Sequence, residues 1–453
     1  MLVLTDYPLS FRAEIAAPLF DLLRGGESAA IIGSASMGKS RLLLFLQRAE
    51  VQQHYLSEAA LHTALLLADC NRLAEKSDWG LYELLLTALI EGVGNRVPAD
   101  AREWLNALRA EAITRRDALL AQRHLELATR TLCREHGLRL CFILDEFDES
   151  YRTLPAAALA NLRALRDNDR YQVCFVLMLR DHPGRLRDRA DSEGFYELLS
   201  RSVLGLKPYN DVDARQVVAQ IAARRGRAWS EAEIAAMLRL SGGHPGSLVA
   251  LSDVLARTEL PADADAQVHW ALAQPAVAEE YRKLWQGLAE DERLALSRLA
   301  QGIGAPYTPR ELLALKGLIR DENSEQPTFF SPVFHHFVLE KGTLSHRGLW
   351  LDEAAAVVWV EGRRLADLSK LEYDLLRLLY RRLGQVCSRD EILAALYPTE
   401  ALDPDKAGSE NRIDSLMRHL RRAIEPDATQ PRYLLTVRGH GYRLVDTPEN
   451  AVS

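Results

Sequence analysis

Gly33-Ser34-Ala35-Ser36-Met37-Gly38-Lys39-Ser40 matches the pattern G-x-x-x-x-G-K-[ST] at every defined position. The apolar run Ala29-Ala30-Ile31-Ile32 enters it, and a helix-forming run from Arg41 to Arg48 leaves it. A strand, a glycine-bearing turn and a helix in that order make a phosphate-binding loop. The glycines let the backbone curl so that successive N–H groups point at phosphate oxygens, and the helix N-terminus adds its positive dipole end. The expected ligand contacts are therefore Gly33, Ser34, Ala35, Ser36, Met37, Gly38, Lys39, Ser40 and Arg41. Lys39 is expected to reach the β- and γ-phosphates, and the Ser40 hydroxyl to ligate Mg²⁺. The competing reading is a glycine-rich turn that mimics the pattern.

At 453 residues the chain exceeds a single core, and roughly two to four domains are expected. No apolar run approaches the roughly 18–20 residues that span a bilayer, so no membrane segment is expected. Met1 to Ser10 lack a basic start followed by an apolar core, so no signal peptide is expected either. Cys70, Cys133, Cys141, Cys174 and Cys387 include no C-x-x-C pair. They read as buried free thiols in a reducing compartment, and the expected location is cytoplasmic. A net charge of −7 gives the whole chain no bias toward nucleic acid. Any DNA contact must come from a local basic patch.

Leu19 to Leu23 read as a helix that Gly25-Gly26 stop, and Thr63 to Cys70 as a buried parallel strand. Asp69 and Asn71 at its end are either loop polars or nucleotide contacts. Leu81 to Gly92 and Ala99 to His136 read as helices. The next apolar run, from Leu138, ends in Leu144-Asp145-Glu146, the Walker B pattern. Asp145 is expected to hold Mg²⁺ and Glu146 to orient and polarise the attacking water. An acidic pair without a metal is the alternative. Asp148 and Glu149 add acidity with no assigned role. Tyr171 to Leu179 form another strand, ending in Arg180, which either stabilises the γ-phosphate or pairs with Asp181 or Asp188. Strands alternating with helices argue a doubly wound, parallel α/β sheet.

After Leu204 come an amphipathic helix to Arg225, a second helix from Ser230, and the turn Ser241-Gly242-Gly243-His244-Pro245-Gly246. The phosphate loop, the Leu-Asp-Glu strand, Arg180 and this Gly-Gly-His-Pro turn resemble the STAND-type signal-transduction ATPases over roughly residues 1–345. More distantly they are similar to the origin-recognition ATPases of the AAA+ class. The resemblance implies ATP/ADP and Mg²⁺ as cofactors. It also implies a helical lid in which His244 and Pro245 contact adenine or the ADP phosphates; a simple helix cap is the alternative. No sensor arginine stands in the lid helix after Pro245, a departure from the origin-recognition ATPases. Residues 262–275, rich in Ala, Asp, Gln and Pro, read as a linker. Residues 278–342 resemble the small winged helix that follows such cores, which implies packing on the core rather than DNA binding.

Residues 347–446 resemble the winged helix-turn-helix of OmpR/PhoB-type regulators. Ser369 with Glu372, and Ser388 with Glu391, are two capping boxes that open its first two helices. Asn411 to Ile424 is the third helix, and Tyr433 to Leu444, with Arg438-Gly439-His440-Gly441-Tyr442, the wing. Seven arginines face three acids between Asn411 and Arg443, a local basic patch in an acidic chain. Arg418, Arg421 and Arg422 share a helix face by spacing. The expected DNA contacts are Arg412, Ser415, Arg418, His419, Arg421, Arg422, Thr436 and Arg438. Ile413, Leu416, Met417 and Leu420 supply the apolar face, although Leu416 stands where family members often carry a polar reader. A solvated helix face with internal ion pairs is the alternative for the arginines. The acidic loop Tyr397–Glu410 is either a flexible insertion or a site for a protein partner.

The expected architecture is multidomain: an α/β P-loop NTPase core with a parallel sheet (1–203), a helical lid (204–261), a linker (262–276), an inner winged helix (277–344), a C-terminal α+β winged helix-turn-helix (347–446) and a tail (447–453). The expected function is an ATP-binding, slowly hydrolysing switch over a sequence-specific double-stranded DNA reader. That describes a transcriptional regulator acting by nucleotide-dependent homo-oligomerisation. Two rivals stay open. One is a DNA-dependent ATPase of transposition, replication or phage defence. The other is an interaction or scaffold protein whose C-terminal module binds protein.

Overall fold

The parallel sheet read from the sequence forms, and its strand order brings three loops to one end. The computed structural model describes residues 7–188, 191, 193–302, 304–305, 307–324, 326–345, 348–352, 357–361, 363–365, 368–397 and 407–445. The chain divides into two compact units, 1–292 with 310–337, and 293–309 with 338–453.

In the first unit, helix α1 (Ala13–Arg24) precedes strand β1 (Ala29–Ile32). Helices α2 (Lys39–Leu46) and α3 (Ala49–Leu56) lead to β2 (Thr63–Asp69). Helices α4 (Asp78–Val93), α5 (Ala99–Arg115) and α6 (Ala118–Arg134) separate β2 from β3 (Arg139–Asp145). The single helix expected from Ala99 to His136 is thus two. Arg116 takes the left-handed conformation at φ 50°, and the Asp117 carboxylate caps α6 by accepting the Leu120 N–H at 2.7 Å. Helices α7 (Asp148–Thr153) and α8 (Ala156–Asn168) lead to β4 (Val173–Leu179). Helices α9 (Pro183–Leu186) and α10 (Glu193–Ser200) lead to β5 (Val203–Gly205).

The strands stand in the order β2-β3-β4-β1-β5, all parallel. Every residue of β1 and β4 is buried, as strands covered on both faces require. Because β4 lies between β1 and β3, the loops leaving the C-terminal ends of these three strands meet at one edge. Ligands of open α/β sheets bind at such an edge. All five cysteines are buried and free.

Three short helices follow: α11 (Asp211–Arg225), α12 (Glu231–Ser241) and α13 (Pro245–Leu255). Asn210 caps α11, a Ser230/Glu233 capping box opens α12, and His244 with Pro245 opens α13. Helix α14 (Ala264–Leu272) forms within the segment whose composition reads as a linker. Helices α15 (Pro275–Gln286), α16 (Glu290–Ala300) and α17 (Tyr307–Leu315) follow. A two-stranded hairpin, β6 (Ile319–Arg320) with β7 (Thr328–Phe329), then precedes α18 (Pro332–Ser345). Buried Tyr281 ties α15 to its neighbours, with its hydroxyl 3.2 Å from the Leu240 carbonyl and 3.1 Å from Ser331 Oγ. Among the described residues no helix is long and apolar enough to cross a membrane.

The second unit carries an antiparallel sheet of β8 (Leu349–Asp352), β9 (Val357–Val360) and β10 (Arg363–Leu365). Helix α19 (Lys370–Arg381), strand β11 (Val386–Cys387), helices α20 (Arg389–Leu396) and α21 (Ala407–Ile424), and strands β12 (Leu434–Val437) and β13 (Gly441–Leu444) complete it. Both capping boxes form as read. Ile413, Leu416, Met417 and Leu420 enter the core with Leu375 and Leu379. Buried Glu425 accepts the N–H groups of Arg432, Tyr433 and Leu434 at 2.7–3.0 Å, so one carboxylate fixes the entry to β12. In the same unit Arg298 stacks on Trp359, 3.2 Å from the ring centre, and donates to the Gly304 carbonyl. Positions 398–406 of the Tyr397–Glu410 loop and the 447–453 tail lie outside the described residues.

Candidate functional site

β1 delivers the chain to residues 33–38. Gly38 adopts φ 87°, a conformation a side chain would strain, and Lys39 then starts α2. The Gly33 N–H bonds the Leu179 carbonyl at 2.9 Å, fixing the loop to β4. Lys39 is only 8% exposed. Its Nζ lies 3.4 Å from Glu146 Oε1 but makes no hydrogen bond, and the buried Ser34 hydroxyl also has none. A buried donor without a hydrogen bond is costly, and phosphate oxygens would satisfy the Ser34 hydroxyl and give Lys39 closer acceptors than the Glu146 carboxylate. A cavity of about 840 Å³ opens here, lined by residues 34–41 together with Glu146, Arg180, Pro245 and Gly246. Gly33, Asp145 and His244 stand outside that lining. The residues present fit a phosphorylated ligand.

The tips of β3 and β4 supply the charges. Glu146 sits at φ 49°, and its carboxylate meets two cations: Lys39, and the Arg180 guanidinium at 2.7 Å. Burial opposes its ionisation, but Lys39 and Arg180 outweigh burial and hold its pKa below the usual glutamate value. Asp145 shifts the other way. Burial raises its pKa, with Glu146 adding to the rise, against a hydrogen bond from the Glu146 N–H at 3.0 Å. Arg180 therefore pairs with Glu146, while Asp181 pairs with Arg185 and Lys316. Asp148, left without a role by the sequence, accepts the Arg180 backbone N–H at 2.8 Å and so holds the β4 tip. Asp69 caps a short turn by accepting the Asn71 N–H at 3.0 Å, and neither residue lines the cavity. Among the described residues no group of three or more His, Cys, Asp or Glu side chains is suited to hold a metal. Mg²⁺ commonly takes one or two protein oxygens beside phosphate and water, and a Ser40 hydroxyl with an Asp145 carboxylate fits that donor set.

The helical segment closes on the loop through backbone contacts. His244 is fully buried; its Nδ1 accepts the Ser247 N–H at 3.1 Å, and its Nε2 lies 3.2 Å from the Ala35 carbonyl. Nε2 must then carry the proton. Burial lowers this imidazole to a pKa of about 4 and keeps it neutral. The Gly246 N–H bonds the Ser36 carbonyl at 3.2 Å, and a Cβ on Gly246 would lie 2.7 Å from that of Ser36. Only glycine permits this approach.

Other residues at the loop were missed from the sequence. Buried Arg12 donates to the Met37 carbonyl at 2.9 Å and the Lys207 carbonyl at 2.6 Å, and stacks on Tyr209 at 4.0 Å. Tyr209 OH accepts from Arg41 at 2.9 Å. Arg12 thus braces the loop from behind, and Arg41, which lines the cavity, is tied to the same Tyr209. Arg12 is far from the motif in sequence, and the aromatic Tyr209 after β5 was the one local signal.

In the second unit, Arg412, Arg418, His419 and Arg422 are exposed on α21, and Ser415 is half-buried. Arg421, expected to share the face of Arg418 and Arg422, instead turns to the wing. It donates to the Leu434 carbonyl at 2.7–2.9 Å and to Thr436 Oγ1 at 2.7 Å. Thr436 is thereby engaged as well. Arg438 is exposed beyond β12. Leu416 is buried and belongs to the core.

The family described as "Transcriptional regulatory protein, C terminal" matches residues 362–444. The chain is 34% identical over 139 residues to the alkaline phosphatase synthesis transcriptional regulatory protein SphR of Synechococcus elongatus, covering 31% of this chain and 48% of that protein. It is 32% identical over 143 residues to the sensory transduction protein RegX3 of Mycobacterium leprae, covering 31% and 63%. The chain spans about half the length of the curated relatives it matches. The RstA DNA-binding domain of Klebsiella pneumoniae, crystallised with its RstA box, aligns at 28% identity over 21% of this chain and 90% of that one, with a TM-score of 0.18. A Walker-type ATPase of Pyrococcus abyssi aligns at 17% identity over 74% of this chain and 99% of that one, with a TM-score of 0.46. Residues 362–444 are a C-terminal winged-helix DNA-binding domain of the OmpR/PhoB type. The parallel sheet and phosphate-loop motif of the first unit rest on the chain's own strand order and sequence.

Proposed function

We propose that this chain is an ATP-binding switch governing a sequence-reading DNA module, and that it regulates transcription. The observation that carries the reading is a buried lysine, Lys39, and a buried Ser34 hydroxyl, neither with a hydrogen bond and Lys39 with a Glu146 carboxylate 3.4 Å away, at a phosphate-loop cavity in a chain that also holds a regulator's DNA-binding domain. Lys39 and the loop N–H groups bind the phosphates. Ser40 and Asp145 hold Mg²⁺, which when bound neutralises phosphate charge. Glu146 orients water once freed from its cation pair, and Arg180 stabilises the γ-phosphate. Slow hydrolysis resets the switch. ATP binding promotes homo-oligomers, and several DNA modules on one duplex gain avidity.

The test is mass and DNA affinity of the full chain, measured at one salt concentration in ATP and in ADP. A larger, tighter-binding species in ATP supports the switch. Identical mass and affinity in both nucleotides overturn it. Turnover strongly stimulated by DNA, with no regulated promoter output, favours a DNA-dependent ATPase instead.

A further inference from the structure

Lys316 follows α17 and its side chain is 1% exposed, yet it carries a charge into the protein interior. Its Nζ lies 2.6 Å from Glu292 Oε1, a carboxylate with no exposure, and 3.1 Å from Asp181 Oδ1. Asp181 is the residue after Arg180. Arg185, four residues on, reaches Asp181 at 3.5 Å and Asp291 at 2.5 Å. The chain leaving the β4 tip is therefore tied twice to residues 291–292 and 316. The approach is close throughout: a Cβ on Gly205 would lie 1.8 Å from the Leu315 carbonyl, and one on Gly317 would lie 2.8 Å from Lys207 Cβ.

A buried ion pair is a poor device for stability, because apolar side chains of similar volume hold such a place as well. It does impose one geometry, since each partner must stay where the other can reach it. Here the geometry imposed is that of the β4 tip. Asp148 holds the Arg180 backbone N–H at 2.8 Å from one side. Lys316 holds the adjacent Asp181 carboxylate from the other. Between these anchors the Arg180 guanidinium meets Glu146 at 2.7 Å, at the mouth of the phosphate-loop cavity.

We infer that Lys316, through Asp181, is a positioning residue for Arg180, and that the tie couples residues 310–337 to the terminal phosphate of a bound nucleotide. The inference rests on the nucleotide-binding reading above. A γ-phosphate that draws Arg180 from Glu146 shifts the β4 tip, and the Lys316–Asp181 contact carries that shift to the segment after α17. ADP lacks the group that draws Arg180, so it leaves the tie undisturbed.

The experiment uses the full chain with Lys316→Met, and with Lys316→Met plus Glu292→Gln, which spares the fold a buried unpaired carboxylate. ATP turnover, ATP and ADP affinities, and hydrogen exchange of residues 179–188 are measured, with Arg180→Ala as reference. Arg180→Ala is expected to lower kcat at least tenfold while ADP affinity stays within twofold. The Lys316 variants are expected to show the same pattern, with faster exchange at 179–188. Combining them with Arg180→Ala is expected to add nothing further, as for residues acting through one group. Wild-type kcat in the Lys316 variants, an additive loss in the combined variant, or an equal loss of ADP affinity overturns the inference. A wild-type chain that binds no nucleotide overturns the nucleotide reading and the inference together, whereas wild-type turnover with unaffected variants overturns the inference alone.

Discussion

His244 Nε2 donates to the Ala35 carbonyl at 3.2 Å, so a helix-capping imidazole at the start of α13 is bonded to the backbone of the phosphate loop. Its Nδ1 accepts the Ser247 N–H, and that second bond exists only for the neutral ring, because a protonated Nδ1 has no lone pair to offer.

A pH dependence follows from that neutrality. Burial holds the folded His244 near pKa 4, while an unfolded histidine titrates near about 6.5. Between those values the unfolded chain binds more protons, so stability is complete above the unfolded value and falls as pH drops through the window. Lowering the pH from 7.5 to 5 is expected to cost the first unit about 2 kcal/mol from this group alone. Urea unfolding of the wild type and of His244→Gln, which keeps a donor but does not titrate, checks it. Parallel pH profiles would remove His244 as the cause.

Glu146 is held as an anion by Lys39 and Arg180. Glu146→Gln is expected to keep nucleotide binding while lowering phosphate release by about 10²–10⁴-fold, the usual contribution of a positioned base. Lys39→Ala is expected to abolish binding itself. Wild-type phosphate release from Glu146→Gln would strip that residue of its role.

Arg12 braces the loop from outside the motif. Arg12→Ala leaves the Met37 and Lys207 carbonyls without their donor, and a loss of about 2–4 kcal/mol in unfolding free energy is expected. Arg12→Lys is expected to recover only part, because a single ammonium does not reproduce the two-armed fork. Chemical denaturation with hydrogen exchange of residues 33–40 measures both.

The arginines of the second unit divide into two kinds. Arg422→Ala and Arg438→Ala, changes at exposed positions, are expected each to lower the slope of log affinity against log salt by about one, with little change in stability. Arg421→Ala removes donors to Leu434 and Thr436, and is expected to destabilise the unit by about 1–2 kcal/mol before it affects salt dependence. Fluorescence anisotropy across a salt series, beside thermal melts, separates them. A full unit change in slope from Arg421→Ala at unchanged stability would return it to the phosphate-facing set.

Local chemistry was enough to read the elements and the motif. Residues 33–40 between a four-residue apolar run and a helix former already specify strand, loop and helix. The Ser369/Glu372 and Ser388/Glu391 boxes announce two helix starts, because a cap needs only residues three apart. Two local readings failed: nothing in Arg116 announces φ 50°, so one helix was read where two stand, and the Ala, Asp, Gln and Pro composition of 262–275 hid the helix Ala264–Leu272.

Partnerships over long separations were not legible, because they depend on which elements the packed core brings together. Arg12 reaches Lys207, His244 reaches Ala35, and Lys316 reaches Asp181 across 135 residues or more. Arg421 shows the same limit at short range: helical spacing put it on a face with Arg418 and Arg422, but the wing packed beside α21 claimed its guanidinium. The phosphate loop was thus written in eight consecutive residues. The braces that hold it, the cations that occupy Glu146 and the tie on Arg180 came only with the packing, since a buried charge takes whichever partner the fold sets within reach.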